Sequence, residues 1–225
     1  MDSTKIMKED FISQFSHEFK TPITSINGFA NLLLTKKLDK EKQVEYLKII
    51  AEESKRLTQL SSQIMNLTNL ENTKIITNQR MGEIDEELRK SIISLLPLME
   101  NKKLNYKLDL QKVTYHTDPE LLKEVWLNLL NNSIKFAPIG GTVYVSCKEK
   151  EGQPEIVIGN DGPEIAEADR KKIFDKFYQG DTTEKHAGLG LGLAIVRQVL
   201  ILIGGKIDIK SSYQNVAGTF FEITL

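Results

Sequence analysis

The chain has 225 residues, of which 40% are hydrophobic and 27% are charged, a composition typical of soluble globular domains. Its 30 basic and 31 acidic residues give a formal net charge of −1, so it has neither the basic excess of a nucleic-acid-binding protein nor a polybasic membrane signal. The lone cysteine, Cys147, excludes an intrachain disulfide and a cysteine-based metal site. No stretch reaches the ~18–20 apolar residues that span a bilayer, so we expect a segment that is not itself membrane-inserted.

The first third of the chain is predicted to form two long helices with a break near Thr35–Lys40. Residues 3–71 contain one glycine, Gly28, and one proline, Pro22. In the second helix, apolar and small residues recur in heptad-like steps of three and four. They are Leu47, Ile50, Ser54, Leu57, Ser61 and Ile64. Because two helices cannot cover such a stripe alone, we expect a homodimer through residues 1–72 that closes a four-helix bundle.

Residues 73–225 are predicted to form a second domain that mixes helices with strands. A linker, Glu71–Asn78, leads into a short strand, and one helix has two N-terminal signals, Asp118 as N-cap and Pro119 at its first position. Predicted helices span 83–99, 118–137 and 191–203, and predicted strands span 104–110, 112–116, 142–148, 155–159, 206–212 and 218–225. This order favours an α/β sandwich with one mixed sheet and helices on one face.

A histidine lies on the polar side of the first predicted helix. At about 100° per residue, the apolar residues of 11–33 fall in one sector, and His17 falls roughly opposite its centre. Its ring should therefore project into solvent. Glu18 can accept a hydrogen bond from one ring nitrogen, which leaves the other as a nucleophile. Thr21, one turn further on, can hold a water beside a phosphate. Pro22 lacks an N–H and loosens this turn of the helix.

The segment that contains these residues resembles the phospho-acceptor box of sensor histidine kinases. Its core is Ser16-His17-Glu18-Phe19-Lys20-Thr21-Pro22. The resemblance implies that His17 is phosphorylated, that Glu18 acts as base or orients the ring, and that Thr21 serves dephosphorylation of a partner.

A second group of residues fits a nucleotide site. Asn128, Asn132 and Lys135 have the spacing of one helix face, and amide oxygens with an ammonium suit Mg²⁺ and phosphates. Glycines at 188, 190 and 192 precede a helix, where backbone amides can approach phosphate oxygens. Taken singly, each pattern has a simpler explanation. The polar face would be a solvated stripe, and the glycines would allow tight packing between a helix and the sheet.

Five segments together resemble the nucleotide-binding boxes of histidine kinases, in the family order. They are 128–136, 160–165, 173–178, 188–192 and 218–221. The resemblance implies the ATP-binding fold shared by histidine kinases and gyrase, with ATP and Mg²⁺ as cofactors and 174–188 as a lid. The implied ATP-binding residues are Asn128, Asn132, Lys135, Phe136, Asn160, Gly162, Ile165, Phe174, Tyr178, Gly188, Leu189, Gly190, Leu191, Gly192 and Thr219, and the implied metal ligands are Asn132 and Asn128.

The sequence departs from the family pattern at three positions, one of which is Glu164, where a second glycine is common. Most members have an aspartate, which accepts a hydrogen bond from the adenine amino group, where this chain has Asn160. The Asn160 oxygen can accept the same bond without the charge, whereas Asp161 should point the other way. Many members have an arginine near the γ-phosphate where this chain has Gln179, and Lys176 or Lys185 are candidate replacements.

The predicted function is that of an ATP-dependent protein-histidine kinase. It would autophosphorylate His17, transfer the phosphoryl group to an aspartate in the receiver domain of a response regulator, and dephosphorylate that regulator. The alternative is a non-catalytic dimeric scaffold with a degenerate ATP pocket, which Asn160 and Gln179 motivate. The resemblance also implies the cytoplasmic portion of a bacterial membrane sensor protein. Composition does not decide whether phosphorylation runs within or between subunits.

Overall fold

The computed structural model describes residues 3–73, 75–180 and 190–225. The chain divides into two compact units, Met1–Thr68 and Asn69–Leu225, while the domain boundary between residues 72 and 73 stays a prediction. No helix in the described ranges is long and apolar enough to cross a bilayer.

The first unit is a helical hairpin. Helix α1 spans Ser3–Thr35 and α2 spans Lys40–Asn72, with the last residues of α2 in the second unit. The Asp39 carboxylate accepts a hydrogen bond from the Lys42 amide at 2.8 Å, which satisfies one of the unpaired amides at the start of α2. The two predicted helices and the break between them are thus confirmed.

The hairpin leaves an apolar groove open. Leu60 and Leu67 of α2 are buried, at 1% and 3% exposure. By contrast, Ile23 of α1 is 49% exposed and Leu47 of α2 is 55% exposed. A groove of about 420 Å³ lies between the helices. Its lining residues are Phe19, Ile23, Leu57, Thr58, Ser61 and Ser62.

The second unit contains three helices and seven strands among its described residues. In chain order they are β1 (Arg80–Glu83), α3 (Ile84–Asn101), β2 (Asn105–Leu110), β3 (Thr114–Thr117), α4 (Pro119–Phe136), β4 (Thr142–Lys150), β5 (Gln153–Asn160), α5 (Gly192–Ile203), β6 (Lys206–Tyr213) and β7 (Val216–Thr224), with a 3₁₀ helix at Lys172–Phe174. The main sheet has the order β2-β4-β5-β7-β6. Its β2–β4 pair is parallel and the other pairs are antiparallel.

Strands β1 and β3 form a separate two-stranded sheet, which differs from the single sheet predicted from the sequence. Helix α3 begins directly after β1, and the Ile84 amide donates to the Val113 carbonyl at 2.9 Å. This tight junction leaves β1 beside β3 rather than at an edge of the main sheet.

The core lies between the main sheet and the helices. Side chains alternate along a strand, and Ile156 and Ile158 of β5 are fully buried, as is Trp126 of α4. Asn160 follows Ile158 by two residues along β5, so its side chain lies on the same helix-facing side of the strand as the two isoleucines. The sheet and its helix layer therefore place the end of β5 beside the helices.

Candidate active site

His17 is exposed on α1, as its position on the helical wheel predicts. The Thr21 hydroxyl donates to the His17 carbonyl at 3.3 Å. Pro22 lies within the continuous helix and has no N–H to offer the Glu18 carbonyl. The turn that carries His17 therefore lacks one backbone hydrogen bond, the one to the Glu18 carbonyl, while the neighbouring His17 carbonyl accepts from the Thr21 hydroxyl.

Glu18 contacts the second helix of the hairpin. Its carboxylate lies 3.3 Å from the Arg56 guanidinium of α2, whereas the sequence led us to expect a bond to the His17 ring. Both side chains remain partly exposed, at 24% for Glu18 and 45% for Arg56. Sequence reasoning missed Arg56 because it is 38 residues away from Glu18, and no local pattern marks it.

The three polar residues predicted on one face of α4 are all half-buried. The Asn128 Nδ2 donates to the Glu124 carbonyl at 2.8 Å, while its Oδ1 lies 2.8 Å from where a Cβ on Gly192 would be. The start of α5 therefore touches α4 closely. Burial lowers the pKa of Lys135, and its Nζ lies 4.7 Å from the centre of the Phe136 ring.

Asn160 lies at the end of β5 and is only 2% exposed. Its Nδ2 is buried and has no hydrogen-bond partner among the described residues. The Asp161 carboxylate accepts from the Thr142 amide at 2.9 and 3.0 Å, so it points the other way, as predicted. Thr219 of β7 lies opposite Asn160 in the antiparallel β5–β7 pair. The Thr219 hydroxyl donates to the Pro163 carbonyl at 2.8 Å.

Two glycines allow the backbone to close around Asn160. A side chain on Gly162 would overlap the Phe136 carbonyl and lie 2.5 Å from the Asn160 Nδ2. A side chain on Gly218 would overlap the Asn160 carbonyl. The end of α4, the end of β5 and the start of β7 thus meet at one place.

The chain before α5 folds back onto the segment that follows the 3₁₀ helix. Gly190 has a φ of 66°, and a Cβ there would lie 2.6 Å from the Phe177 carbonyl carbon. The Phe177 amide donates to the Gly190 carbonyl at 2.9 Å, and the Tyr178 hydroxyl donates to Asp169 at 2.7 Å. Leu191 is fully buried before α5 begins.

The remaining predicted residues divide into two groups. Ile165 and Phe174 are half-buried, as is Asn132 of α4. Gly188 and Leu189, together with most of the predicted lid, lie outside the described residues. Among the described residues, no three His, Cys, Asp or Glu side chains lie close enough together to form a metal site. Burial raises the pKa of the Cys147 thiol to about 12, so this group is no nucleophile.

Two family models match the chain. The His Kinase A (phospho-acceptor) domain matches residues 7–73, and the Histidine kinase-, DNA gyrase B-, and HSP90-like ATPase matches residues 117–225. The first match contains His17, and the second contains every residue predicted to bind nucleotide.

Curated relatives match along nearly the whole chain. Sensor protein SrrB of Staphylococcus aureus is 30% identical over 223 residues, which cover 97% of this chain and 38% of that protein. The circadian input-output histidine kinase CikA of Synechococcus elongatus is 30% identical over 220 residues, covering 91% of this chain and 28% of that protein. The chain thus spans well under half the length of these relatives.

Solved histidine kinase structures share the fold. Acinetobacter baumannii AdeS superposes with a TM-score of 0.71 at 23% identity, covering 93% of this chain and 96% of that one. Histidine kinase ThkA, solved in complex with the response regulator protein TrrA, has a TM-score of 0.77 at 21% identity, covering 96% of this chain and 60% of that one. The predicted helical hairpin followed by an α/β ATP-binding fold is confirmed.

Proposed function

Because the chain belongs to the sensor histidine kinases, we propose that it transfers the γ-phosphoryl group of ATP to His17 and then to an aspartate of a response regulator. The observation that carries the proposal is that α4 meets the start of α5 at Gly192, while its C-terminal end meets β5 and β7 around Asn160 and Gly162. His17, which is exposed within the segment that matches the phospho-acceptor domain, would supply the nucleophile.

The nucleophile at His17 is a ring nitrogen that carries a lone pair. The lone pair of one nitrogen attacks the γ-phosphorus, the bond from that phosphorus to the ADP oxygen breaks, and ADP leaves. Glu18 accepts the ring proton. An aspartate carboxylate of the regulator then attacks the same phosphorus and breaks the N–P bond. Catalysis is mainly positioning and electrostatics.

The nucleotide would bind on the second unit with its base at β5 and its phosphates near α5. Asn160 and Thr219 would meet the base, with Phe136 and Ile165 lining the pocket. Backbone amides from Gly190 to Gly192 would face the phosphates, since a helix N-terminus attracts anions. Phe174, Tyr178 and Gly188 belong to the predicted lid, residues 174–188, which would close over the nucleotide, and Leu189 follows it.

Mg²⁺ fits this donor set only together with ATP. The described chain offers amide oxygens rather than a carboxylate cluster, and Mg²⁺ commonly completes its shell with phosphates and water. Asn132 and Asn128 would supply protein oxygens, and Lys135 would meet a phosphate. When bound, the ion would offset negative charge on the transferring group.

We also infer a homodimer that forms through residues 1–72. The groove lined by Phe19, Ile23 and Leu57 is an apolar surface of the kind that a second copy buries in a four-helix bundle. A receiver domain would then approach the exposed His17. Since relatives are named sensor proteins, we propose that the chain is the cytoplasmic portion of a bacterial membrane sensor.

The decisive experiment is autophosphorylation with γ-labelled ATP and Mg²⁺. Wild type should gain acid-labile label, His17→Gln should gain none, and His116→Gln, at another exposed histidine, should match wild type. The alternative is a dimeric scaffold with a degenerate pocket, for which Asn160 and Gln179 are the motive. Absence of label on wild type that still dimerises would favour that alternative and overturn the kinase proposal.

A further inference from the structure

An amide, rather than a carboxylate, faces the helix layer at the end of β5. Asn160 is 2% exposed, and its Nδ2 has no hydrogen-bond partner among the described residues. A buried amide N–H without an acceptor is unfavourable. The position therefore has a donor that lacks an acceptor among the described residues.

The neighbouring acid does not replace it. Both oxygens of Asp161 accept from the Thr142 amide, at 2.9 and 3.0 Å. The Thr219 hydroxyl, opposite Asn160, donates to the Pro163 carbonyl at 2.8 Å. Among these three side chains, the Asn160 amide is thus the one with a donor that remains to select a base.

We propose that this nucleotide site binds 6-oxopurine nucleotides as well as adenine nucleotides, with Asn160 as the residue that permits both. The inference rests on the proposed function, because it assumes that the nucleotide base lies at the end of β5. It goes beyond that function by naming a wider class of substrate.

The argument follows from the hydrogen-bonding edges of the purines. Adenine presents a donor, its 6-amino group, beside an acceptor, N1. A 6-oxopurine presents the reverse, an acceptor at O6 beside a donor at N1. An amide has one donor and one acceptor group, so a half-turn of the Asn160 side chain about its terminal bond complements either base.

A carboxylate at the same position would discriminate. Ionised, it has acceptors only, so it pairs with the adenine amino group but faces O6 of a 6-oxopurine with like partial charge. Gly162 leaves room for the amide at this position, since a Cβ there would lie 2.5 Å from the Asn160 Nδ2. The asparagine therefore removes a penalty against the 6-oxo group.

The test compares dissociation constants of ATP, inosine triphosphate and GTP for the wild-type chain with Mg²⁺, by titration calorimetry. Inosine triphosphate changes the 6-position without adding the 2-amino group of guanine. We expect wild type to bind ATP and inosine triphosphate within about tenfold of each other. Asn160→Asp should weaken inosine triphosphate relative to ATP by at least about tenfold. Asn78→Asp, at an exposed site, should leave the ratio unchanged.

The outcomes separate this inference from the kinase proposal. Discrimination against inosine triphosphate by more than about a hundredfold in wild type would overturn it, as would an unchanged ratio in a folded Asn160→Asp variant. If that variant fails to fold, the wild-type ratio still decides. Binding of both nucleotides without label on His17 would refute the kinase proposal and leave the base selectivity standing. No binding of either nucleotide would overturn both.

Discussion

Thr21 lies one helical turn after His17, and its hydroxyl donates to the His17 carbonyl at 3.3 Å. The hydroxyl is exposed, so it can turn from this carbonyl towards a water beside the phosphoryl group of the proposed regulator. We expect Thr21→Ala to keep autophosphorylation but to lose at least about tenfold in phosphatase rate. Release of phosphate from the phosphorylated regulator measures this, with Thr21→Ser as the matched control. Full phosphatase activity in Thr21→Ala would exclude the role.

Lys135 gives the nucleotide site a pH dependence. Burial lowers its pKa, and only the protonated amine attracts a phosphate. ATP affinity should therefore fall on the alkaline side at a lower pH than an ordinary lysine, with its pKa of ~10.4, would produce. The same shift means that the charged form opposes folding, with the full penalty below the lowered pKa, and the penalty fades as the pH rises from there through the ordinary lysine pKa.

The measurement is the dissociation constant of ATP across the alkaline range. Lys135→Arg, whose guanidinium stays charged, should abolish the alkaline fall in affinity. A fall of the same size and midpoint in this variant would assign the pH dependence to another group.

At the scale of elements, the last turn of α4 is held from outside by Lys102. This residue follows α3, and its Nζ donates to the Ile134 and Lys135 carbonyls at 2.9 and 2.6 Å. A cation at a helix C-terminus satisfies unpaired carbonyls and offsets the helix dipole. Since the same turn carries Lys135 and Phe136, Lys102 positions a part of the proposed nucleotide site.

We expect Lys102→Met to lower the free energy of unfolding by about 1 kcal/mol and to weaken ATP binding severalfold. Lys102→Arg should recover most of both effects, because a guanidinium can donate to the same carbonyls. Lys206→Met, at an exposed lysine of β6, serves as the control. Chemical denaturation and calorimetry measure the two quantities. Unchanged ATP affinity in Lys102→Met would show that Lys102 stabilises the fold but does not position the nucleotide site.

The elements that the sequence predicted well have local signals. Asp118 and Pro119 mark the start of α4, and the Asp118 side chain does accept from the Glu120 amide at 3.0 Å. Contacts between distant parts of the chain have no such signal. The pairing of β1 with β3 depends on the junction at Ile84. Likewise, Lys102 contacts carbonyls more than thirty residues away. Because every residue type has a backbone carbonyl, the sequence does not show which ones accept this bond.

At the scale of the whole molecule, the two units differ in how far they bury their own apolar surface. The second unit has a core in which Trp126, Leu129 and Ile156 are fully buried. The hairpin of the first unit instead leaves a groove of about 420 Å³. An open groove in a two-helix unit fits the proposed homodimer, in which a second copy would stabilise the hairpin.

Ile23, which lines this groove and is 49% exposed, is the position at which to test the dimer. A carboxylate buried in an apolar interface without a partner costs several kcal/mol. Ile23→Glu should therefore raise the dimer dissociation constant by at least about a hundredfold. Ile139→Glu adds the same charge at a residue that is 80% exposed in the second unit, and it should sediment as wild type does. Analytical ultracentrifugation across protein concentrations measures both variants. An Ile23→Glu variant as dimeric as wild type would show that the two copies meet through another surface, because an apolar seam at this groove cannot accommodate two symmetry-related carboxylates.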